Sequence, residues 1–160
     1  MSGDGAFSFA LASLLYAARE DVWARVGTID GVNLELAPWL RITASRHVRR
    51  LEDLPTGEVA LRSWVLALGL VPVDVARVRV VRVDPLHGFL ERSALLTQRA
   101  WEHERVLHAD PAGTLVVDRV AAEPRLPALR RAHAAAFRAV FAHRHRRLRA
   151  AFGGTPAPVP

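Results

Sequence analysis

The chain alternates between two hydrophobic periods, and the changes of period divide it into elements. From Phe7 to Tyr16 the apolar positions alternate, with Phe7, Phe9 and Leu11 on one face and Ser8 and Ala10 on the other, which predicts a strand. Ala17 to Val26 then shifts to helical spacing. Ala18, Val22, Trp23 and Val26 share a side, and Glu20 and Asp21 occupy a first turn, where carboxylates suit the positive end of a helix. A second short helical or turn segment runs to about Leu36 and is stopped by Pro38. Arg41 to Arg46 reads as the next strand. Val48 to Thr56, with Arg49, Arg50, Glu52 and Asp53 ahead of Pro55 and Gly57, reads as an exposed loop.

Beyond Glu58 the pattern is predominantly β. In Ser63 to Val71 the large residues Trp64, Leu66, Leu68 and Leu70 alternate with slimmer ones, which predicts a long buried strand. Val75 to Val83 is β by its branched content, and Arg77, Arg79 and Arg82 interrupt its apolar face in a way that suggests a bulge. Asp84 to Gly88 is a turn. Gly88 to Leu96 and Ala100 to His108 are further strands, and Asp110 to Gly113 closes a hairpin onto Thr114 to Ala122. In the last segment Leu126, Leu129, His133, Phe137, Val140, Phe141, Arg144, Leu148 and Ala151 recur every three or four residues, so one stripe of a long helix faces the sheet. The expected fold class is α+β: a curled antiparallel sheet of about six or seven strands wrapped around a long C-terminal helix, with two short helices after the first strand. One domain is expected over residues 1–152, and residues 153–160, GGTPAPVP, lack any core pattern and are expected to be a disordered tail.

Composition narrows the class. A chain of 160 residues buries roughly two-thirds of its unfolded surface. With 51% hydrophobic and 24% charged residues, it falls in neither the disordered nor the membrane class. The longest apolar stretches, Ala6 to Ala18 and Ser63 to Val73, are shorter than the roughly 20 residues that span a bilayer. Asp4 stands where a secretory signal would carry Lys or Arg, so the expected location is cytoplasmic. The absence of cysteine excludes disulfides, thiolate metal sites and cysteine nucleophiles. All 22 basic residues are Arg, which raises the isoelectric point far beyond what a net charge of +6 implies. Eight of them follow Glu123, the last acid, so the excess charge is C-terminal. Its basic end complements the negative end of the last helix. The arginines surround that helix and do not alternate with exposed aromatics, so no nucleic-acid partner is expected.

Candidate chemistry concentrates on the Ala100–Ala122 hairpin. Trp101, His103, Arg105 and Leu107 share one face, the expected inner one. A four-residue DPAG loop sets Arg105 opposite Asp118 and His103 opposite Val120, which allows a network of Arg105, Asp118 and Arg144 beside the imidazole; a loop longer by one residue changes these pairs. Arg144 and His133 lie on the inward stripe of the last helix, and a guanidinium there requires a carboxylate or several carbonyls. Trp64, Phe89, Trp101, Phe137 and Phe141 are candidates to line an apolar pocket. His143 and His145 lie about 200° apart around a helix and cannot share a metal. No zinc, nucleophile-elbow, phosphate-loop or dinucleotide motif occurs, so no cofactor or metal is expected.

The AREDVWARV helix, the PWL after it, the GFLERS strand, W-x-H in WEHER, T-x-x-x-D in TLVVD and FAHRHRRL together resemble the START-like or SRPBCC (helix-grip, Bet v 1-like) superfamily. Its members include lipid-transfer domains, plant allergen-type carriers and aromatic polyketide cyclases. The resemblance covers residues 7 to 152 and is nearest to bacterial ligand-binding SRPBCC proteins of unassigned function. It implies a hydrophobic cavity between sheet and final helix. On that basis the expected function is to carry or sense a small hydrophobic, lipid- or polyketide-like molecule without turnover. The alternatives are a cyclase- or dehydratase-like enzyme using His103 as acid or base, and a module docking an acidic partner through its Arg-rich helix. The ligand-binding candidates are Trp64, Phe89, Trp101, His103, Arg105, Asp118, Phe137, Phe141 and Arg144, and the oligomeric state is left open.

Overall fold

The computed structural model describes residues 5–160, so the N-terminal Asp4 lies outside the described residues. Eight strands form one antiparallel sheet: β1 (Phe7–Leu15), β2 (Leu40–Ile42), β3 (Val59–Ala67), β4 (Val71–Asp84), β5 (Gly88–Leu95), β6 (Gln98–Asp110), β7 (Gly113–Pro124) and β8 (Gly154–Ala157). Their order across the sheet is β2-β3-β4-β5-β6-β7-β1-β8. Two short helices, α1 (Arg19–Val26) and α2 (Ile29–Leu36), follow β1, and the long helix α3 (Arg130–Phe152) lies in the curl of the sheet. The curled sheet and long helix are what the alternation of periods predicts, and together they form the helix-grip arrangement that the resemblance implies.

The elements arise from local causes. In α1 the periodic Val22, Trp23 and Val26 are buried. The Thr28 hydroxyl starts α2 by accepting from the Gly31 N–H at 3.0 Å and donating to the Arg25 carbonyl at 2.8 Å. Gly31 is the residue that lets the two helices meet: a Cβ there would sit 1.8 Å from the Arg25 carbonyl oxygen. A bulge between Val80 and Arg82 in β4 occurs where its arginines break the apolar face. The β6–β7 hairpin has the register of the DPAG loop, with Arg105 opposite Asp118 and His103 opposite Val120.

Two packed clusters make up the core. One joins Phe7, Phe9, Trp101, Val120 and Ala122 to Phe141 of α3; the other joins Leu15, Val22, Trp23, Phe89 and Leu107 to Leu148. Between them α3 presents Arg144 and His145 to the sheet.

Four expectations need correction. The strand placed at Ser63 to Val71 ends at Ala67 and turns through Leu68, whose φ is +51°. Its period of two is right and its facing is reversed: Ser63 is buried, whereas Trp64 is 51% and Leu70 82% exposed. Slim side chains face inward there because the curl leaves space beneath them, and a one-residue shift of parity exchanges every side chain between faces. The segment at Val48 to Thr56 is not a fully exposed loop, since a 3-10 turn over Leu51–Asp53 buries Leu54 and packs Leu51 on the second cluster. Residues 154–157 of the supposed tail pair with Ala12–Leu15 as β8, because a free strand edge recruits even a short segment through backbone bonds that side-chain pattern does not reveal. Leu126 and Leu129 precede α3 and are exposed, so its inward stripe begins with the partly buried His133 and Phe137 and includes His145.

Candidate functional site

Three layers build the site. The outermost is a cavity of about 180 Å³ between α3 and the inner face of β3 to β6, closed at one side by α2, β2 and the 3-10 turn. Its walls are apolar and aromatic: Phe89 from β5, Trp101 from β6 and Phe137 and Phe141 from α3 meet Ile29, Leu36, Leu61, Val65 and Val78. The aromatic rings are mutually seated, with Trp101 and Phe137 centroids 4.8 Å apart and Phe9 edge-on to Phe141 at 5.7 Å. Ser63, Glu91, His103 and Arg144 also reach the lining.

The second layer is His103. Its residue is 3% exposed, and its ring stands edge-on between Phe89 (5.0 Å) and Phe141 (4.9 Å). Nε2 lies 2.9 Å from Asp118 Oδ1. A carboxylate oxygen only accepts, so Nε2 carries the proton. Burial lowers the pKa of His103, and the Asp118 hydrogen bond opposes that shift without cancelling it. The neutral ring therefore keeps its lone pair on Nδ1, which has no hydrogen-bond partner among the described residues.

The third layer is a buried ion network. Asp118 accepts from His103 and from Arg105 Nε (2.8 Å) on Oδ1, and from Arg105 Nη2 (2.7 Å) and His145 Nε2 (3.1 Å) on Oδ2. Arg105 also donates to both oxygens of Glu35, at 2.9 and 3.0 Å. Arg144 donates to Glu35 Oε2 at 2.9 Å. His145 Nδ1 accepts from the Ser13 hydroxyl at 2.9 Å, and Arg149 donates to that same oxygen at 2.7 Å. Burial pushes the Asp118 and Glu35 carboxyls upward, and the guanidinium of Arg105, joined at Glu35 by that of Arg144, outweighs it, so both titrate below the ordinary range. The two carboxylates thus pair with the guanidiniums of Arg105 and Arg144, and Arg149 joins through Ser13.

Six of the nine expected site residues line the cavity: Phe89, Trp101, His103, Phe137, Phe141 and Arg144. Arg105 and Asp118 are fully buried behind it, with Asp118 hydrogen-bonded to both His103 and Arg105. Trp64 faces solvent on the other side of the sheet. The carboxylate partner of Arg144 is Glu35 and not Asp118. Glu35, Ser13 and Glu91 carry no signal in the sequence that marks them, and His145 stands out there only as a metal candidate that its spacing from His143 rules out. His145 is legible in retrospect, four residues after Phe141 on the inward stripe. Glu35 follows Leu34 in an ordinary amphipathic segment, and only the placement of α2 against α3 reveals it.

The fold and this site define the chain as a helix-grip protein with a lined internal cavity. Residues 13–152 match a family described as "Domain of unknown function (DUF8410)", and the chain belongs to that family. No curated protein matches. Among solved structures, the chain is similar to protein CV1439 from Chromobacterium violaceum, with 14% identity and a TM-score of 0.69 over 91% of this chain and 96% of that one. It is also similar to the di-domain ARO/CYC StfQ from the steffimycin biosynthetic pathway, with 13% identity and a TM-score of 0.65 over 92% of this chain and 50% of that one. Ara h 8.0201 matches at 11% identity and a TM-score of 0.57, over 89% and 97% of the two chains. These likenesses establish the shared fold. No helix among the described residues is long and apolar enough to cross a membrane.

Proposed function

We propose that the protein binds a small, largely apolar molecule in the cavity gripped by α3 and carries or senses it without turnover. The observation that supports this most is the combination of an apolar, aromatic-walled cavity with an oriented acceptor, His103 Nδ1, on a ring held by a fully bonded carboxylate. At about 180 Å³ the space is comparable to an apolar pocket of about 150 Å³ that accepts benzene. A ligand of about one ring fits it as it stands. Native mass spectrometry of protein isolated from its own host, with organic extraction, tests the reading. A stoichiometric apolar molecule is the expected result, whereas an empty protein that also takes up nothing from a panel of single-ring and short-chain compounds overturns it.

A second reading has its own support. A neutral imidazole whose Nε2 is anchored to Asp118 and whose Nδ1 faces a cavity is arranged as a general base. StfQ, which shares the fold, is described as an ARO/CYC. If His103 moves a proton, its replacement by Gln lowers turnover of the extracted compound by about 10²- to 10⁴-fold. If the protein is a carrier, that compound is unchanged after incubation with the wild type.

A further inference from the structure

Glu91 is the one carboxylate side chain on the cavity wall, and it has no cationic partner among the described residues. β5 sets it on the same face as Phe89, and the β5–β6 register puts it directly opposite His103. Side chains so paired have Cβ atoms about 4.5–5.5 Å apart. Its Oε1 accepts from the Ser93 hydroxyl, which in turn accepts from the Arg79 N–H at 3.2 Å, so the carboxylate is oriented by a fixed donor. Oε2 has no protein partner among the described residues.

The other charges at the cavity cancel. Arg144 reaches the lining but donates to Glu35, and Arg105 is shared between Glu35 and Asp118. Those two guanidiniums are each paired with a buried carboxylate, and the buried His103 is neutral. The carboxylate left without a guanidinium is that of Glu91. Beside it stands the free acceptor His103 Nδ1, and the rings of Phe89 and Trp101 also line the cavity, while the Phe141 ring already carries the Arg144 guanidinium at 4.9 Å. An apolar cavity with an unmatched carboxylate disfavours an anionic ligand and leaves a neutral one with the carboxylate only partly satisfied. An ammonium group supplies the missing charge, donates to both acceptors, and is attracted to aromatic faces.

We propose that the cavity takes a monocationic amine, a protonated primary or secondary amine on an apolar body of about one ring, with its N–H groups shared between Glu91 Oε2 and His103 Nδ1. The inference rests on the cavity being a ligand site. Calorimetry at pH 7.5 with 2-phenylethylamine, 2-phenylethanol and phenylacetate separates the two claims. The amine is expected to bind about tenfold or more tightly than the alcohol and the carboxylate to bind most weakly, since one charge-assisted hydrogen bond is worth at least that ratio. Glu91→Gln keeps an acceptor for Ser93, and it should remove the advantage of the amine while leaving the alcohol within about twofold. Equal binding of amine and alcohol, or tightest binding of phenylacetate, overturns the amine proposal and leaves the cavity reading standing. Failure of all three to bind overturns both. The ranking on the wild-type protein decides even if the variant does not fold.

Discussion

Asp118 is the residue on which most of the buried chemistry converges, because its two oxygens accept four hydrogen bonds from His103, Arg105 and His145. Asp118→Asn removes the charge and turns one acceptor into a donor facing donors. It should cost about 3–5 kcal/mol, the penalty for leaving a buried ion uncompensated, and chemical denaturation measures it. His103 behaves differently. In the unfolded chain it titrates near pH 6.5, whereas burial lowers its pKa in the fold. As pH falls below about 6.5, the unfolded state takes up a proton that the folded state refuses, so this contribution to stability is complete above that pH and declines below it. Asp118 and Glu35 titrate below their ordinary range when folded, so a second loss begins under about pH 4. Unfolding free energies at pH 7.5 and 5 should differ less for His103→Gln than for the wild type; an equal difference means that His103 is not the titrating group.

At the scale of elements, the position of α2 determines whether the ion network forms. Glu35 reaches Arg105 and Arg144 only because α1 and α2 turn tightly at Thr28 and Gly31. A Cβ at residue 31 would lie 1.8 Å from the Arg25 carbonyl oxygen, and backbone cannot yield as a side-chain end can. Gly31→Ala should therefore shift α2, withdraw Glu35 and destabilise by more than the about 1–3 kcal/mol of ordinary overpacking. Thermal unfolding beside Glu35→Gln checks this: a melting point for Gly31→Ala near the wild type means that α2 is not held by that contact. The facing of β3 and the pairing of β8 are likewise set at this scale. Alternation reveals a strand but not which parity faces the helix, and backbone pairing along a sheet edge needs no side-chain signature.

For the molecule as a whole, cavity and stability are in opposition. An unfilled space beside Val78 and Ala76 forgoes packing that a larger side chain would recover. Val78→Phe should leave the melting temperature unchanged or raise it, and should abolish the ligand-induced rise that 2-phenylethylamine gives the wild type. Retention of that rise would place the ligand elsewhere. The arginines of α3 also acquire definite roles at this scale. Arg144 serves the buried network and Arg149 holds Ser13, while Arg147 donates to the Leu34 carbonyl at 3.1 Å and ties α3 to α2.

Local pattern alone determined the α+β class, the order of elements up to the last helix, and the inward placement of Trp101, His103 and Phe141, because period is a property of neighbouring residues; the register that faces Arg105 with Asp118 was one of the pairings the loop allowed. Tertiary structure alone decided that Glu35, from a helix 70 residues before Arg105, completes the network, that Trp64 faces outward, and that Glu91 stands across from His103 with no cationic partner among the described residues. Those outcomes depend on how far the sheet curls and where α2 docks, and such long-range geometry leaves no periodic trace along the chain.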